Sequence, residues 1–190
     1  AGKTTLLNRL LRDSALADTL VLINEFGETG LDHLLVQAVE GDMMLLASGC
    51  VCCTIRGELA DTLEDILRRS DNGRMKPFRR VLIETTGLAD PAPLLHTVMS
   101  HPYLSMRFRL QGVVTLVDAV NGMKTLDQFP EAVKQAAIAD VLVLTKTDLC
   151  GPDAGLAALR ERLSRLNRSA RLADGAAEGL DAGMLTGIGP

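Results

Sequence analysis

The 190 residues contain no tryptophan, one tyrosine and four phenylalanines, so the core has to be built from Leu, Val, Ile, Ala and Met. At 47% hydrophobic the chain is long enough to bury such a core as one α/β domain. Excess basic charge is missing too: 20 Lys and Arg stand against 24 Asp and Glu, a net charge of −4. That balance argues against a nucleic-acid partner bound through a basic surface, but not against a single phosphate-bearing ligand. The longest uncharged apolar run, about Met43 to Ile55, is too short to cross a bilayer, so no membrane partner is expected. No charged-then-apolar leader opens the chain, and nothing in it suggests secretion. Four cysteines, three of them within four positions, are not a disulfide framework spread over a fold. A reduced, cytoplasmic protein is the expectation.

Apolar periodicity and turn residues predict alternating elements. "TTLLNRLLRD" reads as a helix after Gly2 and Lys3, and "TLVLIN" (19–24) as a strand. "EFGETGLD" is a polar loop, followed by short strands in "HLLVQAV" and "MMLLAS". "GELADTLEDILRRS" (57–70) has helical spacing and stops at Asp71-Asn72-Gly73. "RRVLIETTG" is a strand, "PAPLLHTVM" a helix, "LQGVVTLVDAV" a strand, "PEAVKQAAIA" a helix and "DVLVLTKTD" a strand. "GLAALRERLSRLN" (155–167) is the last strong helix, and past Ala170 the pattern assigns nothing. Such alternation predicts an α/β fold, a mostly parallel twisted sheet with helices on both faces in three layers.

"AGKTT" is the second half of G-x-x-x-x-G-K-[ST], in which loop N–H groups and a helix N-terminus surround phosphates. Gly2, Lys3, Thr4 and Thr5 are then phosphate ligands. Lys3 reaches the β- and γ-phosphates, and Thr4 places its hydroxyl on Mg²⁺. The first glycine of the motif and its strand fall before residue 1. Taken alone, "GKTT" also fits an ordinary helix start. "VLIETTG" (81–87) puts Glu84 at the C-terminal end of a strand, the edge where doubly wound sheets bind ligands. Glu84 there holds a Mg²⁺-bound water and the N–H of Gly87 faces a γ-phosphate; the plain alternative is an acid that ends a strand. In "VLVLTKTD", Asp148 can accept from N1–H and the N2 amino group of guanine, which adenine cannot offer. Lys146 lays its stem along the base, and Thr145 stands where Asn is usual. Together the three stretches predict a phosphate-loop NTPase that binds GTP and GDP.

"GKTT", "NEFGE" (24–28), "GCVCC" (49–53), "ETTGLADP" (84–91) and "TKTD" closely resemble the CobW-type family of GTPases. That metal-handling branch also includes the nickel-insertion GTPases, and the likeness runs from residue 1 to about 170. It implies a GTP-hydrolysing metallochaperone that binds a transition metal of the Zn²⁺ or Co²⁺ class and delivers it to a client metalloprotein. Residues 1–190 then form the GTPase domain. The start of the phosphate loop and the smaller C-terminal domain usual in the family are not within them. A homodimer is compatible with this reading. In an extended chain Cys50 and Cys52 point to the same side, and Cys53 joins them if the chain turns. Three thiolates suit Zn²⁺ and leave a fourth position for Glu25, Glu28 or water. A redox pair, or three small buried residues, is the competing reading of the same cysteines.

His33, His96 and His101 are scattered and read as surface or capping residues. Asp118 ends "VTLVD" at the ligand edge but fits a helix cap as well. Two other functions share some of these motifs. An ATP-dependent phosphate-loop kinase or transferase would use "GKTT" without "TKTD", and a metal-binding or redox module would carry a vestigial nucleotide site.

Overall fold

The computed structural model describes residues 2–24, 43–45, 54–85, 87, 89–151, 155–175, 183 and 188. Helix α1 (Lys3–Leu10) opens the chain, and a 3₁₀ turn (Ser14–Leu16) leads to β1 (Thr19–Asn24) and β2 (Met43–Leu45). Then come α2 (Thr54–Asp71), β3 (Arg80–Thr85), α3 (Ala92–Ser100) and α4 (Pro102–Arg107). The remainder is β4 (Val114–Asp118), α5 (Gly122–Gln128), α6 (Pro130–Ile138), β5 (Val141–Thr145), α7 (Gly155–Leu166) and β6 (Arg171–Asp174). A second 3₁₀ turn, Thr147–Leu149, follows β5. These elements form two units, residues 16–110 and residues 1–15 with 111–190.

In the unit of residues 16–110, three strands pair in parallel in the order β2-β1-β3. β1 and β3 match from Thr19↔Arg80 to Asn24↔Thr85. Leu20 and Leu22 alternate with Val21 and bury one face of β1 against Leu59, Leu63, Ile66 and Leu67 of α2 and Leu104 of α4. The α2 residues recur at helical spacing, which keeps one stripe of that helix on the strands. Phe78 and Phe108 stack beside this cluster with ring centroids 6.5 Å apart. Arg107 of α4 forms a bidentate pair with Asp71 at the end of α2, at 2.8 and 2.9 Å. α2 begins three residues earlier than its spacing predicts. The expected strand "HLLVQAV" lies outside the described residues.

In the other unit the order is β4-β5-β6, again parallel, with Asp118↔Thr145 and Leu144↔Asp174 as the last matched pairs. β5 is buried on both faces, as expected for the central strand of a covered parallel sheet. Leu142 and Leu144 pack with Ala136, Leu159 and Leu163 of α6 and α7. Val141 and Val143 pack with Leu6 of α1 on the opposite face. Helices therefore cover both faces of this sheet. Asn167, 8% exposed, ties α6 to the turn before β6. Its amide nitrogen lies 2.8–3.0 Å from the carbonyls of Ala136, Ala137 and Ala139, and its oxygen accepts from the N–H of Ser169 and Ala170.

Two expected strands are shorter than their apolar runs. "LQGVVTLVDAV" narrows to Val114–Asp118. "DVLVLTKTD" stops at Thr145 because Lys146 is left-handed (φ 59°, ψ 30°), a conformation no strand continues through. β6, α4 and α5 were not expected.

Candidate nucleotide site

The strands of a parallel sheet all deliver their C-terminal ends to one edge, and register decides which residues meet there. In the β4-β5-β6 sheet that edge carries Asp118, Thr145 and Asp174, followed by the "TKTD" loop. α1 begins at the same place. Gly2 adopts a left-handed conformation (φ 78°, ψ 21°) as its N-cap, and a β-carbon there would lie 3.8 Å from Cβ of Thr145. Gly2 offers no side-chain cap, and the first turn of α1 holds no acidic residue. The helix start thus presents backbone N–H groups and positive dipole, the chemistry that receives a phosphate. Lys3 and Thr4 are half-buried in that first turn and Thr5 is exposed.

The loop after β5 is held from both sides. Lys146 reaches Asp118, with Nζ 2.7 Å from Oδ2. The other oxygen of Asp118 accepts from the N–H of Val120 at 2.9 Å and of Asn121 at 3.1 Å. Burial alone would raise the pKa of this carboxyl. The Lys146 ammonium and the two N–H groups outweigh it, and the carboxyl titrates below its ordinary value. Thr147 donates from Oγ1 to Oδ1 of Asp174 at 2.7 Å, and Arg160 approaches Oδ2 at 3.4 Å. Thr145 donates weakly to the carbonyl of Val117 at 3.4 Å. Asp148 is exposed at the loop's tip. Cys150 is not grouped with other metal-ligating residues among those described; its thiol faces the Lys146 carbonyl at 3.7 Å.

The predicted residues Gly2, Lys3, Thr4, Thr5, Thr145, Lys146 and Asp148 thus belong to one unit, on α1 and the β5 loop. Glu84 and Gly87 belong to the other. Glu84 is the penultimate residue of β3, half-buried, and Gly87 lies in the exposed turn beyond it. Glu25, Glu28, Cys50, Cys52 and Cys53 lie outside the described residues, and so does His33. In sequence the cysteines fall between β2, ending at Leu45, and α2, beginning at Thr54. His101 caps α4, its Nδ1 accepting from the N–H of Leu104, as its isolated position suggested.

Asp174 was missed because nothing past Ala170 was assigned. Its only signal was the short "RLAD" before a glycine. Asp118 was seen but weighed as a cap, and the structure gives it the lysine as well.

The sequence matches the family described as CobW/HypB/UreG, nucleotide-binding domain, over residues 1–174. The zinc chaperone YjiA of Escherichia coli is 40% identical over 185 residues, 97% of this chain and 57% of that protein. Zinc-regulated GTPase metalloprotein activator 1 of Schizosaccharomyces pombe is 35% identical, over 90% of this chain and 42% of its own length. The crystal structure of Zn(II)-bound YjiA GTPase superposes with a TM-score of 0.70 at 34% identity, covering 97% of this chain and 57% of that one. HypB of Archaeoglobus fulgidus, at 18% identity and a TM-score of 0.61, shares the fold. The chain spans little more than half the length of YjiA and less than half that of the activator. It belongs to the CobW/HypB/UreG nucleotide-binding-domain family.

Proposed function

We propose that this chain is the GTPase domain of a cytoplasmic metallochaperone, which hydrolyses GTP and hands a Zn²⁺-class metal to a client metalloprotein. The observation that carries this reading is the "TKTD" loop, held at the strand edge where α1 begins at a left-handed glycine that offers no side-chain cap. The donor chemistry fits a guanine nucleotide. Main-chain N–H groups of α1 and the Lys3 ammonium would take the β- and γ-phosphates, and the Asp148 carboxylate would take N1–H and the N2 amino group of the base. Thr4 and Glu84 would hold Mg²⁺, which offsets phosphate charge. The N–H of Gly87 would lie toward the γ-phosphate. Cys50, Cys52 and Cys53, with Glu25 or Glu28, would carry the transported metal, a soft-thiolate set suited to Zn²⁺ or Co²⁺. The names of YjiA and the yeast activator, a zinc chaperone and a zinc-regulated GTPase, support the same pairing of nucleotide and metal.

Competition between GTP and ATP for the full-length protein with Mg²⁺ tests this reading. GTP should displace a bound guanine nucleotide with strong preference over ATP, and Asp148→Ala should remove the preference. Equal competition by ATP in the wild type would refute the guanine assignment.

A further inference from the structure

Two of the four residues of "TKTD" bond side chains outside the loop: Lys146 bonds Asp118, and Thr147 bonds Asp174. Neither acid belongs to the loop. Each is the last residue of a flanking strand, and register places them on either side of the end of β5. Resting on the guanine-nucleotide reading above, we infer that Asp118 and Asp174 are positioning residues that clamp the "TKTD" loop from its two sides and so set how well the protein distinguishes guanine from other bases.

The geometry makes the case on each side. Lys146 sits in left-handed backbone that a lysine rarely adopts, so something outside its own dihedrals has to hold it. Its ammonium is charge-paired to a carboxylate whose side chain is 15% exposed, while Lys146 itself is 43% exposed. The two oxygens of Asp118 divide the work. Oδ1 closes the turn into α5 by accepting from Val120 and Asn121, and Oδ2 takes the lysine. The loop is thereby fastened to a turn that is itself fastened. On the other side, Asp174 is fixed in turn by Arg160 of α7, and the chain beyond it is pinned by Gly175. The N–H of Gly175 donates to Leu144 at 2.6 Å, so close that a β-carbon at 175 would stand 2.8 Å from that carbonyl. Arg9 of α1 donates to the Gly175 carbonyl at 3.1 Å, which joins the phosphate end to the base end. Asp148, the group that would read the base, follows directly on these two anchored residues and takes its direction from them.

Binding of Mg²⁺-GDP and Mg²⁺-inosine diphosphate tests the inference, because inosine lacks only the 2-amino group that Asp148 would accept from. Hydrogen bonds to charged groups are strong enough that the wild type should favour GDP over inosine diphosphate about 10-fold or more. An amide at 118 keeps one oxygen, which serves the turn or the lysine but not both. Asp118→Asn should therefore lower the GDP-to-inosine ratio severalfold. Thr147→Val, which keeps the shape and removes only the hydroxyl, should do the same from the other side. Simple loss of stability would weaken both nucleotides equally and leave the ratio unchanged. A wild type that prefers GDP over inosine diphosphate, with both variants keeping its ratio, would overturn the clamp and leave the GTPase reading standing. With Mg²⁺-ADP measured alongside, a wild type that does not prefer GDP over ADP would remove that reading and the clamp with it.

Discussion

Asp118 and Thr145 face one another as the last matched pair of β4 and β5, and the residue after Thr145 turns back to bond Asp118 at 2.7 Å. One parallel register therefore delivers a carboxylate and its ammonium partner to the same edge without any loop having to find it.

The sign of the resulting pH effect follows from the lowered pKa of Asp118. A carboxyl with a folded-state pKa below its unfolded value stabilises the protein above about pH 4, the ordinary range for Asp. That contribution is lost as pH falls through the depressed folded value. Melting temperatures of the wild type and Asp118→Asn should differ at pH 7 and converge as the pH drops below 4. A gap that is constant from pH 7 to 3 would mean that the ionised form of Asp118 adds nothing.

Asn167 presents a different dependence, on hydrogen bonds rather than charge. Its amide has two hydrogens and three carbonyls within 3.0 Å, so one is shared. Asn167→Ala should strand buried carbonyls of α6 at a cost of about 2–4 kcal/mol, since each unsatisfied group costs ~1–3 kcal/mol. Urea unfolding measures this directly. A loss below about 0.5 kcal/mol, the usual range for inert surface changes, would contradict it.

Gly87 separates fold from function in the opposite way. Among the described residues a β-carbon there meets nothing within 4 Å, and its backbone is not left-handed, so they make no demand for glycine at this position. Gly87→Ala should leave stability within about 0.5 kcal/mol of the wild type. If the N–H of Gly87 faces the γ-phosphate, the same change should weaken a GTP analogue relative to GDP. An unchanged GTP-to-GDP ratio would dissociate Gly87 from that phosphate.

The thiols have their own test. The Co²⁺-loaded full-length protein should show a thiolate-to-metal absorption band that Cys52→Ser abolishes while GTP binding persists. A band that survives the substitution would remove the cysteine stretch from the metal site.

Long apolar runs make most of this fold legible in the sequence. β1 is where "TLVLIN" puts it, and β3, β4 and β5 lie within the longer runs "RRVLIETTG", "LQGVVTLVDAV" and "DVLVLTKTD", because a strand buried on one or both faces must be continuously apolar or alternate. Glu84 falls at a strand end for the same reason. What was missed is short or half-exposed. β6 has four residues, none buried, and α4 has six, too few for either period to show. The loop anchors escaped with them. Asp174 is visible only once β6 is known, and the αL turn at Lys146 carries no glycine to announce it.

The proposal that one protein couples GTP hydrolysis to the hand-over of a metal is met most directly by one titration. Zn²⁺ affinity of the full-length protein is measured with Mg²⁺-GDP and again with a non-hydrolysable GTP analogue. Allosteric couplings of about 1–3 kcal/mol predict affinities that differ roughly 5- to 150-fold, with Zn²⁺ shifting the GTP-to-GDP preference by the same factor. Glu25→Gln or Glu28→Gln should shrink the difference if that carboxylate completes the shell in one state only. Equal Zn²⁺ affinity in both nucleotide states would contradict the account and leave two independent sites.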